Sequence, residues 1–143
     1  MTTAAKLCQA AFDGDADLVL QLLRNGADIN QADTGWNPIH SAVENDQLEL
    51  VKILLVHNAD REWIHSGMTP LAHAVEVECD GAIQQGLSFT SCNLDIISLL
   101  LGSGCEASSG LAMAVDMRND HIKNFIVDHQ NLQNKSQHPI TAS

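Results

Sequence analysis

The sequence predicts an all-α solenoid of about four helix–turn–helix units, with an insertion in the third. Three observations carry this. The chain matches itself at an offset of 32 residues: Ala10 falls on Ala42, Leu22-Leu23 on Leu54-Leu55, Ala27-Asp28 on Ala59-Asp60, and Ala42-Val43-Glu44 on Ala74-Val75-Glu76. Internal self-similarity at a period of this size marks a repeat architecture. Within each repeat the apolar residues recur at helical rather than strand spacing. The composition is 45% apolar yet holds only two Trp, three Phe and no Tyr, so the core is built of Leu, Ile, Val and Ala, which suits closely packed helices.

Each element follows from local chemistry. The first unit, about residues 4–28, begins inside its first helix and reads "AAKLCQAAFDGDADLVLQLLRNGAD". The second, about 29–60, opens on the turn "DTGWNP", where Gly35 can take positive φ. Asn37 is an N-cap with Pro38 at the first helical position. Ile39, Ala42 and Val43 then share a helix face, and Asn45-Asp46 ends the helix. The second helix carries Leu48, Val51, Leu54 and Leu55 and stops near Asn58, a residue that tolerates a left-handed cap. The third unit, about 61–106, keeps "GMTPLAHAV" and "LDIISLLLGSGCE" but separates them by an insertion at about 80–93. That insertion is expected as a lobe between the two helices, or as an extension of the first of them. Its apolar residues Ile83, Leu87 and Phe89 are expected to tuck back onto the stack, with a partner-facing position as the alternative. The fourth unit, about 107–129, is degenerate, and residues 130–143 read as a flexible polar tail.

The repeated landmarks resemble the ankyrin repeat: "GWNPIHSAV" and "GMTPLAHAV" stand for its Gly-x-Thr-Pro-Leu-His opening, and "LLRNGAD" for its close. The resemblance covers roughly residues 4–129. Asn37 replaces the usual Thr in the second unit, and Ala72 stands in the His slot of the third. What the resemblance implies is a non-enzymatic module that binds a protein partner through its turn fingers and the inner faces of its first helices. Small freestanding proteins of this type look bacterial, and some such relatives are immunity proteins that neutralise a toxin. An inhibitor or immunity role and a general adaptor or scaffold role are both implied.

Composition narrows the partner. Eighteen acids stand against seven bases, a formal charge of −11. That charge repels nucleic acid and anionic membrane and favours encounter with a basic protein. No long apolar segment and no secretory leader is visible, so the expected location is cytoplasmic. No motif for a nucleophile elbow, a phosphate loop or a zinc protease is present, and no catalytic residue, cofactor or metal is expected. A metal- or thiol-dependent enzyme is a remote alternative. The spacing of His65, His73, Cys79 and Cys92 matches no zinc pattern. The four cysteines, at 8, 79, 92 and 105, are expected as free thiols, with a Cys79–Cys92 disulfide as the weaker alternative.

By resemblance, His40 takes the place of the family's structural His and is expected to donate to the turn backbone, while His57, His121 and His129 fall on exposed positions. By resemblance, the candidate partner-binding residues are Asp13, Glu44, Asn45, Glu76 and Asp116 on the inner face, and Asp33, Trp36, Trp63, His65 and Met68 on the fingers. Together they would form an acidic column beside apolar tips. Trp36 also has a structural use, packing on the next finger, whereas Trp63 has none and is the stronger contact candidate. Oligomeric state stays open, since the end units could cap the stack or continue it onto another copy.

Overall fold

A computed structural model describes residues 1–33 and 36–137. Thr34 and Gly35, which carry the expected first finger tip, and residues 138–143 lie outside the described residues. Among those described there are eight α-helices and no β-strand: α1 Thr3–Asp13, α2 Ala16–Arg24, α3 Pro38–Glu44, α4 Leu48–Val56, α5 Pro70–Gln85, α6 Asp95–Gly102, α7 Ala107–Asp116 and α8 Asp120–Gln137. A 3₁₀ turn at Phe89–Ser91 lies between α5 and α6.

The helices start where short polar side chains can satisfy the free N–H groups of a first turn. Thr2, Asp15, Asn37 and Thr69 accept from Ala5, Leu18, His40 and Ala72 at 3.1–3.2 Å. Pro38 and Pro70 occupy the first turns of α3 and α5, where a missing N–H costs nothing. Asp46 and Asn58 take left-handed backbone at the ends of the second unit's helices. The second finger is a two-residue hairpin: His65 and Met68 exchange backbone hydrogen bonds of 2.9 Å, with Ser66 and Gly67 both at positive φ.

The odd-numbered helices stack in line, α1 on α3, α3 on α5 and α5 on α7, and each also packs on its own even-numbered partner. The core is the aliphatic seam predicted from the period, including Leu7, Val19, Ile39, Leu54, Leu71 and Ile97. Small residues set the spacing. Ala10, Ala42, Ala74 and Ala114 are all buried along the stack.

The insertion in part takes the helix-extending form, one of its two expected alternatives, while two of its apolar residues and the last helix depart from expectation. At 32 residues beyond the helix-ending Asn45-Asp46 stand Val77-Glu78, which have no reason to stop a helix. So α5 runs for 16 residues, until Gly86 closes it in left-handed conformation. The first part of the insertion is therefore helix. Its apolar residues divide: Phe89 packs against the core, but Ile83 and Leu87 stay 58% and 49% exposed rather than tucking in. Likewise α8 continues through Gln137, so residues 130–137 are helical where a polar tail was expected.

The stack comes close at Gly110 on α7. A Cβ there would lie 2.7 Å from Leu71 Cγ and 2.8 Å from Leu71 Cδ2, and Leu71 is fully buried. Gly110→Ala is expected to lower stability by about 1–3 kcal/mol, the usual cost of overpacking a core. A denaturant midpoint unchanged from the parent chain would contradict that reading of the α5–α7 contact.

Candidate partner-binding face

The inner face is built from the α1, α3 and α5 surfaces left uncovered beside the fingers. One groove, about 330 Å³, lies between α1 and α3 and is lined by Cys8, Gln9 and Phe12, by Asp33 and Trp36 of the first finger, and by Glu44. A second, about 210 Å³, lies between α3 and α5 and is lined by Glu44, Glu76, Asp80 and Gln84 among others. Glu44 is the wall common to both. Four carboxylates, Asp33, Glu44, Glu76 and Asp80, thus line the two grooves, and among the described residues no Lys or Arg lines either.

Behind this face lies a row of histidines. His40 is fully buried and His73 is 2% exposed. His40 Nε2 meets the Trp63 carbonyl at 2.7 Å, its Nδ1 faces His73 Nδ1 at 2.8 Å, and His73 Nε2 faces Glu44 Oε2 at 2.5 Å. Burial lowers the His40 pKa from 6.5 to about 4; the Trp63 carbonyl opposes this, and the neighbouring His73 and His65 reinforce it. A neutral His40 has one N–H. The Trp63 carbonyl can only accept, so that N–H sits on Nε2, and His40 Nδ1 is an acceptor. His73 Nδ1 must then donate to it. The contacts therefore run unbroken from the exposed Glu44 through two buried rings to the backbone of the second finger's root. Trp36 closes the row on the groove side, with ring centroids 4.3 Å from His65 and 5.6 Å from His73.

The candidate residues separate into groups. Glu44, Asp33 and Trp36 meet at the first groove, and Glu76 joins Glu44 at the second. Trp36 is half-buried and takes the structural use named for it, packing on His65 of the next finger. His65 and Met68 are half-buried partners in the finger hairpin. The Asn45 amide is committed, donating to the Phe12 carbonyl at 2.8 Å and so closing the end of α1. Asp13 is exposed beside the first groove and accepts from Gln9 Nε2 at 2.9 Å. Asp116, exposed at the end of α7, lines neither groove. Trp63 is half-buried, and the freely exposed apolar side chain at this point is its neighbour Ile64. Asp80, Gln9 and Cys8 line the grooves but are not among the partner contacts expected from sequence. Asp80 follows Glu76 by four residues, the spacing that shares a helix face, but it had been assigned to the insertion.

His65 and His73 lie with His40, while Cys79 and Cys92 lie together elsewhere, so the four do not converge. Among the described residues no three His, Cys, Asp or Glu side chains are placed to hold a metal. His57 is exposed as expected, but His121 and His129 are half-buried on α8.

Paired antiparallel helices stacked in register, with hairpin fingers on one edge, define a helical-repeat solenoid. The chain belongs to the ankyrin repeat family: the family model for ankyrin repeats, in three copies, matches residues 7–108. It is similar to human 2-5A-dependent ribonuclease, 43% identical over 56 residues that make up 38% of this chain and 8% of that protein. It is similar to the fowlpox virus ankyrin repeat protein FPV031, 31% identical over 144 aligned positions covering 81% of this chain and 42% of that one. Mouse protein phosphatase 1 regulatory subunit 27 is 37% identical over 59 residues, 41% of this chain and 38% of the relative. The chain thus spans less than half the length of each. Ankyrin repeats are protein–protein interaction modules and in general non-catalytic. Among the described residues no helix is long and apolar enough to cross a membrane.

The histidine row gives the fold a pH dependence. Between pH about 6.5 and about 4 the unfolded chain binds a proton at residue 40 that the folded chain does not. Stability is therefore expected to fall as pH drops through that window, by up to about 3 kcal/mol from this one group, and this contribution levels off below it. Denaturant titrations across the window check the slope. Ring titration by NMR checks the cause, since His40 should stay neutral well below pH 6; a His40 that titrates at its ordinary value would overturn the assignment.

Proposed function

We propose that this chain is a non-enzymatic binding module whose two acidic grooves receive a basic surface of a protein partner, in the manner of an inhibitor or immunity protein that caps a basic functional site. The observation that carries this is the inner face itself: Asp33, Glu44, Glu76 and Asp80 line adjoining grooves without a basic residue among them. Trp36 and Phe12 supply apolar surface at one end, next to the carboxylates. Aromatic anchors ringed by charge give an interface both affinity and orientation. His73 holds Glu44 in place, so this carboxylate is set before a partner arrives, which lowers the ordering cost of binding.

The experiment is affinity capture from native extract at low and high salt, followed by association kinetics with the captured partner. Glu76→Lys and Asp80→Lys are the informative variants, because neither residue belongs to the histidine row. The expected result is one dominant basic partner, captured less well at high salt, with association slowed by roughly tenfold or more in the double variant and its salt dependence flattened. A partner whose activity is abolished on binding supports the inhibitor form. Kinetics indifferent to both salt and charge reversal would sink the acidic-face reading, and simultaneous binding of two unrelated partners would replace the inhibitor with an adaptor.

A further inference from the structure

The insertion brings two cysteines to one point. Cys79 is buried on α5, and Cys92 is half-buried directly after the 3₁₀ turn. Asn119, fully buried at the start of α8, directs its side-chain amide at both sulfurs, 3.2 Å to Cys79 Sγ and 3.7 Å to Cys92 Sγ. The sulfurs can thus be no farther apart than those two distances end to end. Cys92 Sγ also lies 3.6 Å from the carbonyl of Glu78, the residue preceding Cys79, so the insertion's return strand runs alongside this part of α5. The Glu78 carboxylate fixes that return by accepting from the Asn93 N–H at 2.8 Å. Asn119 is itself immobile, because its Oδ1 caps α8 through Ile122 N at 3.0 Å. A disulfide needs sulfurs about 2.0 Å apart and backbones close enough to permit it. The anchoring at Glu78 brings the two segments side by side, and closure requires the two sulfurs to move from their shared contact with Asn119 to bonding distance.

Access is unequal. Cys92 borders an open pocket of about 280 Å³ together with Glu78 and Asn93, while Cys79 lies behind it. We propose that Cys79 and Cys92 form a dithiol redox site that closes to a disulfide by exchange with a small-molecule disulfide of the glutathione class, tying the inserted segment to α5. The Cys92 thiolate attacks one sulfur of glutathione disulfide, forming a mixed disulfide and releasing one glutathione thiolate. The Cys79 thiolate then attacks the Cys92 sulfur and releases the second. The two protons lost from the protein pass to the two glutathiones, so the protein is oxidised by two electrons and the glutathione disulfide is reduced. Burial pushes both thiols up from their ordinary range, and the nearby Glu78 carboxylate adds to this. Exchange is accordingly slow, and the site reports a sustained change in redox poise rather than a burst of oxidant.

The test incubates the full chain in buffers of rising glutathione disulfide to glutathione ratio, alkylates the remaining thiols and measures intact mass. Cleavage before aspartate places Cys79 in residues 60–79, Cys92 in 80–94, Cys105 in 95–115 and Cys8 in 1–12. The expected product is lighter by two hydrogens, with 60–79 joined to 80–94 and the other two thiols alkylated. Cys79→Ser should instead accumulate a glutathione adduct on Cys92, whereas Cys92→Ser should leave the buried Cys79 free. The same treatment in denaturant gives the unbiased distribution of pairs. The proposal is overturned if native protein shows no 60–79/80–94 link, shows pairs no more selective than the denatured chain, or retains a stable glutathione adduct on Cys92 with Cys79 intact.

Discussion

Close approach of successive first helices is the constraint on which this molecule depends. No single helix pair here could bury its apolar side, so the pairs must share one seam. That seam is narrow because Ala10, Ala42, Ala74 and Ala114 are small and because Gly110 leaves room for Leu71. Everything functional follows from the spacing. It brings His40 to His73 across two units, places Glu44 between two grooves, and lines up carboxylates that stand far apart in the chain.

Electrostatics and packing are joined at the histidine row. A carboxylate in the middle of an acidic face would ordinarily be pushed about by its neighbours. Glu44 is instead fastened at 2.5 Å to a ring that is 2% exposed, and that ring to another that anchors on the Trp63 carbonyl. The position of the charge is thus fixed by the core rather than by solvent. The same arrangement makes the second finger's root and the inner face parts of one hydrogen-bonded chain.

Much of this was legible in the sequence, and the failures have physical causes. The period, the cap at Asn37, the left-handed Asn58 and the family all followed from local chemistry repeated at a fixed offset. The bond from His40 to the turn backbone was legible too. Its continuation to His73 and Glu44 was not, because the third unit carries its His one position late, and only the packed register shows that the displaced ring turns toward its neighbour. Asp80 was missed because the insertion was taken to begin where the repeat stalls, whereas helix α5 runs past that point. The exposed Ile83 shows the limit of inferring burial from hydrophobicity: a helix that projects beyond its neighbours has nothing to bury it against.

That projection has a consequence for shape. Helix α3 has 7 residues and α5 has 16, and at the rise of an α-helix the difference is a ledge of roughly 14 Å. An ordinary stack of repeats offers a surface that looks much the same at every rung and in either direction. Here one rung juts out, which breaks that translational sameness and gives the inner face a head and a foot. Whatever lies along it can be aligned against the ledge in one orientation and not in the reverse, so a single overlong helix supplies the surface with a sense of direction.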